Sequence, residues 1–111
     1  MTERELIGRL RHRVIIEQRT RTADGAGGGT IIWSTYATVW AMIEPMSAKE
    51  IMWAKHLEHR VSHKVYIRHL NGVTSDMRVS FDSRTFQING IRTILEKNRF
   101  IELTLQEGSA S

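Results

Sequence analysis

Three histidines give this sequence its best case for metal chemistry. His56, His59 and His63 would share one helical face, at spacings of three and four residues, if the helix around them continued far enough. Three imidazoles can hold zinc and leave a fourth position open for a reaction. However, a strand-like alternation that begins near Val61 would end the helix before His63. We therefore interpret all three as surface histidines, and we predict neither a metal nor a cofactor.

Other common signatures of catalysis are missing from the sequence. It contains no cysteine, no nucleophile elbow, no phosphate loop that leads into a helix, and no carboxylate pair on a defined scaffold. The run Gly27-Gly28-Gly29 neither follows a buried strand nor precedes a helix, so it is weak support for nucleotide binding. The sequence therefore predicts a protein that is not an enzyme.

Binding residues are easier to find than catalytic ones. Arg9, Arg11 and Arg13 alternate along a predicted strand and would project from one of its faces. We favour contact with an acidic groove on a partner, although the same face could protect an edge strand or follow DNA phosphates. The overall charge gives DNA little support, because 16 Lys and Arg stand against 12 Asp and Glu and are spread along the chain.

The three tryptophans have different expected roles. Trp33 and Trp40 lie in opposite phases of one predicted strand and cannot both face one interior, and we favour packing over nucleobase stacking for them. Trp53 lies on the outer side of a predicted helix, where it is either an interface anchor or an ordinary surface residue. Lys49 and His56 on the same helix complete a candidate interface.

Length and composition predict one domain, residues 1–111, because no segment resembles a linker between two folded units. The absence of cysteine excludes disulfides and points to a reducing compartment. We find neither a secretion leader nor an apolar run of about 18 residues, so we expect a soluble protein made in the cytoplasm.

In the first half of the chain, hydrophobic patterning predicts two strands and one helix. The strands cover residues 10–21 and 31–43, and Glu44-Pro45 ends the second. A capping box formed by Ser47 and Glu50 begins a helix at Ala48 that should end near residue 57. The segment between the strands, residues 22–30, is predicted to be a mobile loop with these candidate contact residues: Asp24, Gly25, Gly27, Gly28 and Gly29.

The second half of the chain contains short strands separated by turns, followed by a frayed tail at 107–111. The predicted turns are Asn71-Gly72, Asp82-Ser83, Asn89-Gly90 and the segment 96–99. About six antiparallel strands joined by hairpin turns, with one helical insertion, predict a mainly β fold: a small β-barrel or a sandwich.

These pieces, read in order, resemble a known family. The segments that carry the resemblance are Ile7-Gly8-Arg9-Leu10-Arg11-His12-Arg13-Val14, Trp33, Ala37-Thr38-Val39-Trp40-Ala41-Met42-Ile43-Glu44-Pro45, Ser47 through Glu50, Val61-Ser62-His63-Lys64-Val65-Tyr66-Ile67-Arg68, Asp76-Met77-Arg78-Val79, Arg84-Thr85-Phe86-Gln87-Ile88 and Lys97-Asn98-Arg99-Phe100-Ile101-Glu102-Leu103. Their order and spacing are similar to those of phage head-tail joining proteins, also called head-closure or head-completion connector proteins.

The resemblance implies a virion protein made in the host cytoplasm. Its expected form is a β-barrel with a long loop and a helical insertion, monomeric when free and assembled as a ring, commonly of twelve subunits. Such rings lie in the neck between the portal-bound adaptor and the tail or tail-completion protein, and they close the channel over packaged double-stranded DNA. No membrane partner is implied. Two features depart from the family pattern: Asp82-Ser83 replaces a turn that commonly contains glycine, and the loop is unusually rich in glycine.

The alternative interpretation is a nucleic-acid-binding β-barrel of another class, which would use the basic strand face and an exposed tryptophan. The two interpretations differ in their dependence on salt. DNA affinity should fall steeply with salt for the second, whereas a connector subunit should bind little bare duplex.

Overall fold

A computed structural model describes residues 3–23, 25, 27–56, 61–94 and 99–107. Several sequence predictions therefore lie outside the described residues: the contact residue Asp24, the helix end near residue 57, His59, most of the turn at 96–99, and the tail beyond Glu107.

The described chain forms two helices and six strands. Their bounds are α1 Glu3–Arg9, β1 His12–Ala23, β2 Gly29–Pro45, α2 Ala48–His56, β3 His63–Arg68, β4 Arg78–Phe81, β5 Arg84–Ile94 and β6 Phe100–Glu107. The strands pair antiparallel in the order β1-β2-β3-β6-β5-β4, and β1 pairs with β4 to close the barrel. The prediction of a mainly β fold with a six-stranded antiparallel barrel is confirmed.

The barrel interior contains the alternate apolar residues that the sequence pattern predicted. Val14 and Ile16 of β1 are fully buried, as are Leu103 and Leu105 of β6. Neighbouring strands add Val65, Ile67, Val79, Phe86 and Ile88 to the same cluster. Because successive strand residues point to opposite faces, closing the sheet places one set inside and leaves the other on the outer wall.

Helix α1 was not predicted, and it changes the start of the barrel. Leu6 is fully buried against Met42 and Phe100 on the outer wall. The turn that ends the helix includes a hydrogen bond from the Arg11 amide to the Arg9 carbonyl. The first strand therefore begins at His12, and the prediction that it begins at Leu10 is wrong.

Strands β1 and β2 are longer than the barrel needs. Beyond the β1–β4 pairing, residues 18–23 continue to pair with residues 29–34 as a two-stranded ribbon, which we call the ribbon. Six residues of strand span about 20 Å, and the molecule measures 52 × 31 × 26 Å. The predicted loop at 22–30 is therefore too long, because Thr22 pairs with Thr30 and Ala23 with Gly29.

The structure confirms some of the three predicted dipeptide turns but not all of them. Asp82-Ser83 is confirmed as a two-residue hairpin turn, with φ angles of 52° and 60°. Asn71-Gly72 is a turn, but it does not join paired strands, because β3 lies between β2 and β6. Asn89-Gly90 is not a turn: β5 is continuous, and it contains a register shift between Ile88 and Gly90. A bulge there adds a residue without interrupting the strand.

Candidate partner-binding surfaces

Helix α2 begins with the predicted capping box. The Ser47 amide donates to Glu50 Oε1 at 3.1 Å, and the Glu50 amide donates to Ser47 Oγ at 3.2 Å. Lys64 Nζ on β3 donates to the other carboxylate oxygen of Glu50. The Lys64 bond first, and then the Ser47 bonds, lower the pKa of Glu50 to about 2. This carboxylate therefore fixes the start of α2 and also links it to the barrel wall.

The rest of α2 covers little of the barrel. None of its residues is buried, and Met52 and Trp53 are 72% and 66% exposed. The Trp53 ring stacks on His56 at a centroid distance of 5.8 Å. Lys49, Met52, Trp53 and His56 line one shallow surface, which we call the helix patch. The structure thus brings together all three residues that the sequence proposed for this helix.

A larger space lies between α2 and the outer wall of the barrel. This space, the helix cleft, has a volume of about 610 Å³. Its α2 side includes Glu50, Trp53 and Ala54, and its wall side includes Lys64, Glu102, Thr104 and β5 residues 89–92. Pockets that bind ligands or partner side chains commonly have volumes of roughly 300–1,000 Å³. No pattern in the sequence indicated this cleft, because three strands and a helix distant in sequence form it.

Two ion pairs lie on the walls of the cleft. Glu50 pairs with Lys64, and Glu102 accepts from Arg92 at 3.0 Å. The pKa of Lys64 is raised, chiefly by its hydrogen bond to Glu50, with further contributions from the charges of Glu102 and Glu44. The cleft lining therefore contains two ion pairs, and a third carboxylate, Glu44, lies near Lys64.

The predicted basic strand face does not exist. Arg9 ends α1, Arg11 lies in the connection that follows, and only Arg13 belongs to β1. Although all three are exposed, the hypothesis that they share a strand face is wrong, because a helix precedes the strand. The three arginines therefore belong to three different parts of the chain: α1, the connection after it, and β1.

Arg13 instead belongs to a surface around Trp40. Its guanidinium lies over the indole ring, 5.0 Å from the centroid. Ile7, Leu10, Trp40 and Arg68 line a shallow depression of about 230 Å³ next to it. We call these four residues with Arg13 the Trp40 patch. Trp40 is 53% exposed, so the packing favoured for it over nucleobase stacking is incomplete. Trp33 is half-buried, with the Arg78 guanidinium 4.2 Å from its ring centroid.

The ribbon carries a further exposed surface. Ile31 and Ile32 are 45% and 51% exposed, and Arg19 and Arg21 are exposed on the paired strand. Gly25 and Gly27 at its tip have φ angles of 79° and 84°, which favour glycine. Gly28 lies beside them, and Gly29 is the first residue of β2. The sequence analysis did not include Ile31 and Ile32 among the candidate contact residues. Their side chains point to opposite faces of the strand, so at least one of them could have been expected on the outside.

The histidines do not share a helix. His56 lies on α2, whereas His63 begins β3, with Nδ1 2.8 Å from Ser62 Oγ and its ring against Phe86. Burial, and then the charge of Arg84, lower the pKa of His63. Across the parts of the chain that the structure describes, no three His, Asp or Glu side chains are grouped as metal ligands. Neither described helix is long and apolar enough to span a bilayer.

The described chain is a small closed β-barrel with exposed elements outside its wall. The sequence model for phage head completion proteins matches residues 6–108, and the chain therefore belongs to the phage head completion protein family. This confirms the resemblance found in the sequence. No curated protein matches the chain.

Two solved structures are similar in fold. Protein SF1141 from Shigella flexneri 2a, known from a solution structure, has a TM-score of 0.76 and 24% sequence identity over 95% of this chain and 98% of its own. A chain in the virion of a native gene transfer agent particle has a TM-score of 0.58 and 16% identity, over 86% of this chain and 92% of its own. At these identities the likeness supports the fold alone.

Family membership establishes the general role. Head completion proteins are structural proteins and not enzymes, so this chain is a virion structural protein with a role in head-tail joining. In that role it assembles with other structural proteins of the phage.

Proposed function

We propose that the chain forms a ring in the virion neck, between the portal-bound adaptor and the tail or tail-completion protein. The ring closes the channel over packaged DNA and provides the surface to which the tail docks. Twelve subunits is the number that the family resemblance suggests. The subunit is made in the host cytoplasm and stays monomeric until heads are available.

One observation supports this proposal most directly: large apolar side chains are exposed on elements that extend from the barrel. Met52 and Trp53 on α2, and Ile31 and Ile32 on the ribbon, are between 45% and 72% exposed. Exposed apolar groups of this kind mark protein interfaces, and tryptophan is often the residue that contributes most to binding. In a ring, contacts that are weak between two free subunits become strong once neighbours are held on a template.

Complementation of incomplete heads tests the proposal. DNA-filled heads made without this protein should lose DNA and fail to bind tails. The purified protein should restore DNA retention and tail attachment. Retained DNA and tail attachment are measured, with heat-denatured protein as the control. Unchanged DNA loss and tail attachment after addition of folded protein would contradict a closure role.

A second candidate is contact with duplex DNA through the Trp40 patch. The patch combines an exposed tryptophan with Arg13 and Arg68, and no described acidic side chain pairs with either arginine. Such a surface can contact phosphates and stack on sugars or bases. If it binds DNA, affinity for a duplex should fall steeply with salt, and the double variant Arg13→Ala, Arg68→Ala should flatten that dependence. Little duplex binding at low salt would exclude this candidate.

A further inference from the structure

We propose that the ribbon of one subunit docks in the helix cleft of the next subunit, with the outer edge of β2 along the open edge of β5 and with Ile32 against the cleft. The inference rests on the proposed ring and names the contact that joins its subunits. It assigns the occupant of the cleft to a second copy of the same chain.

The ribbon side has an uncovered strand edge. β2 pairs with β1 on one edge, and on the other it pairs with β3 only from Ala41 onward. Along residues 29–40, therefore, no described strand covers the second edge. Ile31 and Ile32 lie on this stretch and are about half exposed. An exposed strand edge that carries large apolar side chains is normally covered by another element or another chain.

The cleft side has a matching edge. β6 pairs with β5 as far as Ile94, but the pairing with β4 ends at Gln87, so the far part of β5 has one edge without a described strand. Residues 89–92 of β5 all line the cleft. Arg92 pairs with the outward-facing Glu102, whereas Ile91 pairs with the inward-facing Leu103. Because these cleft residues belong to the part of β5 whose second edge has no described strand, the helix cleft lies beside that open edge.

Charge and apolar character also match. Arg19 and Arg21 are exposed on the ribbon, and the described residues of the ribbon include no acidic side chain. The cleft lining has two carboxylates, Glu50 and Glu102, together with the exposed residues Trp53 and Ile91. The ribbon arginines can pair with these carboxylates, which sets the orientation of docking more than its affinity.

A single subunit cannot satisfy this match. Among the described residues, the ribbon strands contact each other, their barrel neighbours and α1, but neither α2 nor β5. The ribbon and the cleft are different surfaces, so the contact between copies is head-to-tail. Head-to-tail contacts produce closed rings when the rotation between subunits closes. Added strands bind through backbone hydrogen bonds, while side chains in the adjoining pocket provide specificity.

The absence of cysteine from the chain permits a clean crosslinking test. Two variants, Ile32→Cys and Ile91→Cys, are mixed in equal amounts, added to heads made without this protein, and oxidised. We expect covalent dimers from the mixture and none from either variant alone, because a disulfide forms only between closely placed cysteines. Ile15→Cys mixed with Ile91→Cys is the matched control, since Ile15 is also exposed but lies outside the ribbon, and it should give no dimer.

The outcomes separate this contact from the ring itself. If the mixture restores DNA retention without forming mixed dimers, the subunits are in place and the proposed contact is wrong. Dimers from Ile32→Cys alone would also overturn it, because they would mean that two ribbons meet. If wild-type protein restores neither retention nor tail attachment, the ring proposal fails first. Thr30→Cys, on the same face of β2 as Ile32, replaces Ile32→Cys if the latter lowers the melting temperature of the free subunit.

Discussion

Replacing Trp53 by alanine should weaken assembly without weakening the fold. The side chain is 66% exposed, and a tryptophan buries about 150–250 Å² when fully covered, so roughly 130 Å² remains for a partner to cover. At about 25 cal/mol per Å² this area contributes about 3 kcal/mol, and ordering the side chain offsets about 1 kcal/mol of it. The expected net loss is about 2 kcal/mol, or about 30-fold in the concentration needed for assembly.

The assay is a titration of Trp53→Ala into heads made without this protein, with DNA retention as the signal. Thermal unfolding of the free variant should agree with wild type to within about 0.5 kcal/mol, because exposed substitutions have small effects and alanine favours helices. Ile51→Ala on the same helix is the control, since Ile51 is 37% exposed and lines neither the helix cleft nor the helix patch. The reasoning would be refuted if Trp53→Ala and wild type reached half-maximal DNA retention at the same protein concentration. It would also be refuted if Ile51→Ala raised that concentration as much as Trp53→Ala does.

Four further substitutions test the fold. Ser47→Ala should destabilise α2 by about 1 kcal/mol through loss of the cap, measured as helical circular dichroism. The folded pKa of Glu50 is lowered from 4.5 to about 2, so its bond to Lys64 stabilises α2 above pH 4.5 and should be lost as the pH falls toward 2; Glu50→Gln should remove that pH dependence. Leu103→Ala should lower the free energy of unfolding by about 3 kcal/mol, measured by urea titration, because Leu103 is fully buried. Ser83→Gly should raise the free energy of unfolding by about 0.5–1 kcal/mol, because Ser83 has a φ of 60°. An unchanged free energy of unfolding would mean that this turn is unstrained.

Local signals in the sequence were reliable where their partners are near in the chain. The capping box joins Ser47 to a residue three positions away, and the structure has both of its hydrogen bonds. The Asp82-Ser83 hairpin was also predictable, because a two-residue turn fixes the register of the strands on either side. Trp53 was placed on the outer side of α2 by helical geometry alone, and it is exposed there.

Errors arose where distant residues decide the conformation. Asn89-Gly90 has the composition of a tight turn, but pairing with β6 along the whole of β5 keeps it in a strand as a bulge. Arg9 and its neighbours have the spacing of a strand face, but packing of Leu6 against Met42 and Phe100 favours a helix before the strand. In both cases contacts from elsewhere in the chain outweigh a weak local preference.

By itself, the sequence determined the alternating strands, the start of α2, the absence of cysteine and the family resemblance, because each depends on residue type or short-range spacing. Only the tertiary structure decided how the barrel closes between β1 and β4, where the ribbon leaves it, and which carboxylates meet around the helix cleft. Those features join residues far apart in the chain, such as Glu17 and Arg78, which are separated by 61 positions. No short-range pattern encodes such pairings, because they form only when the whole sheet selects its register.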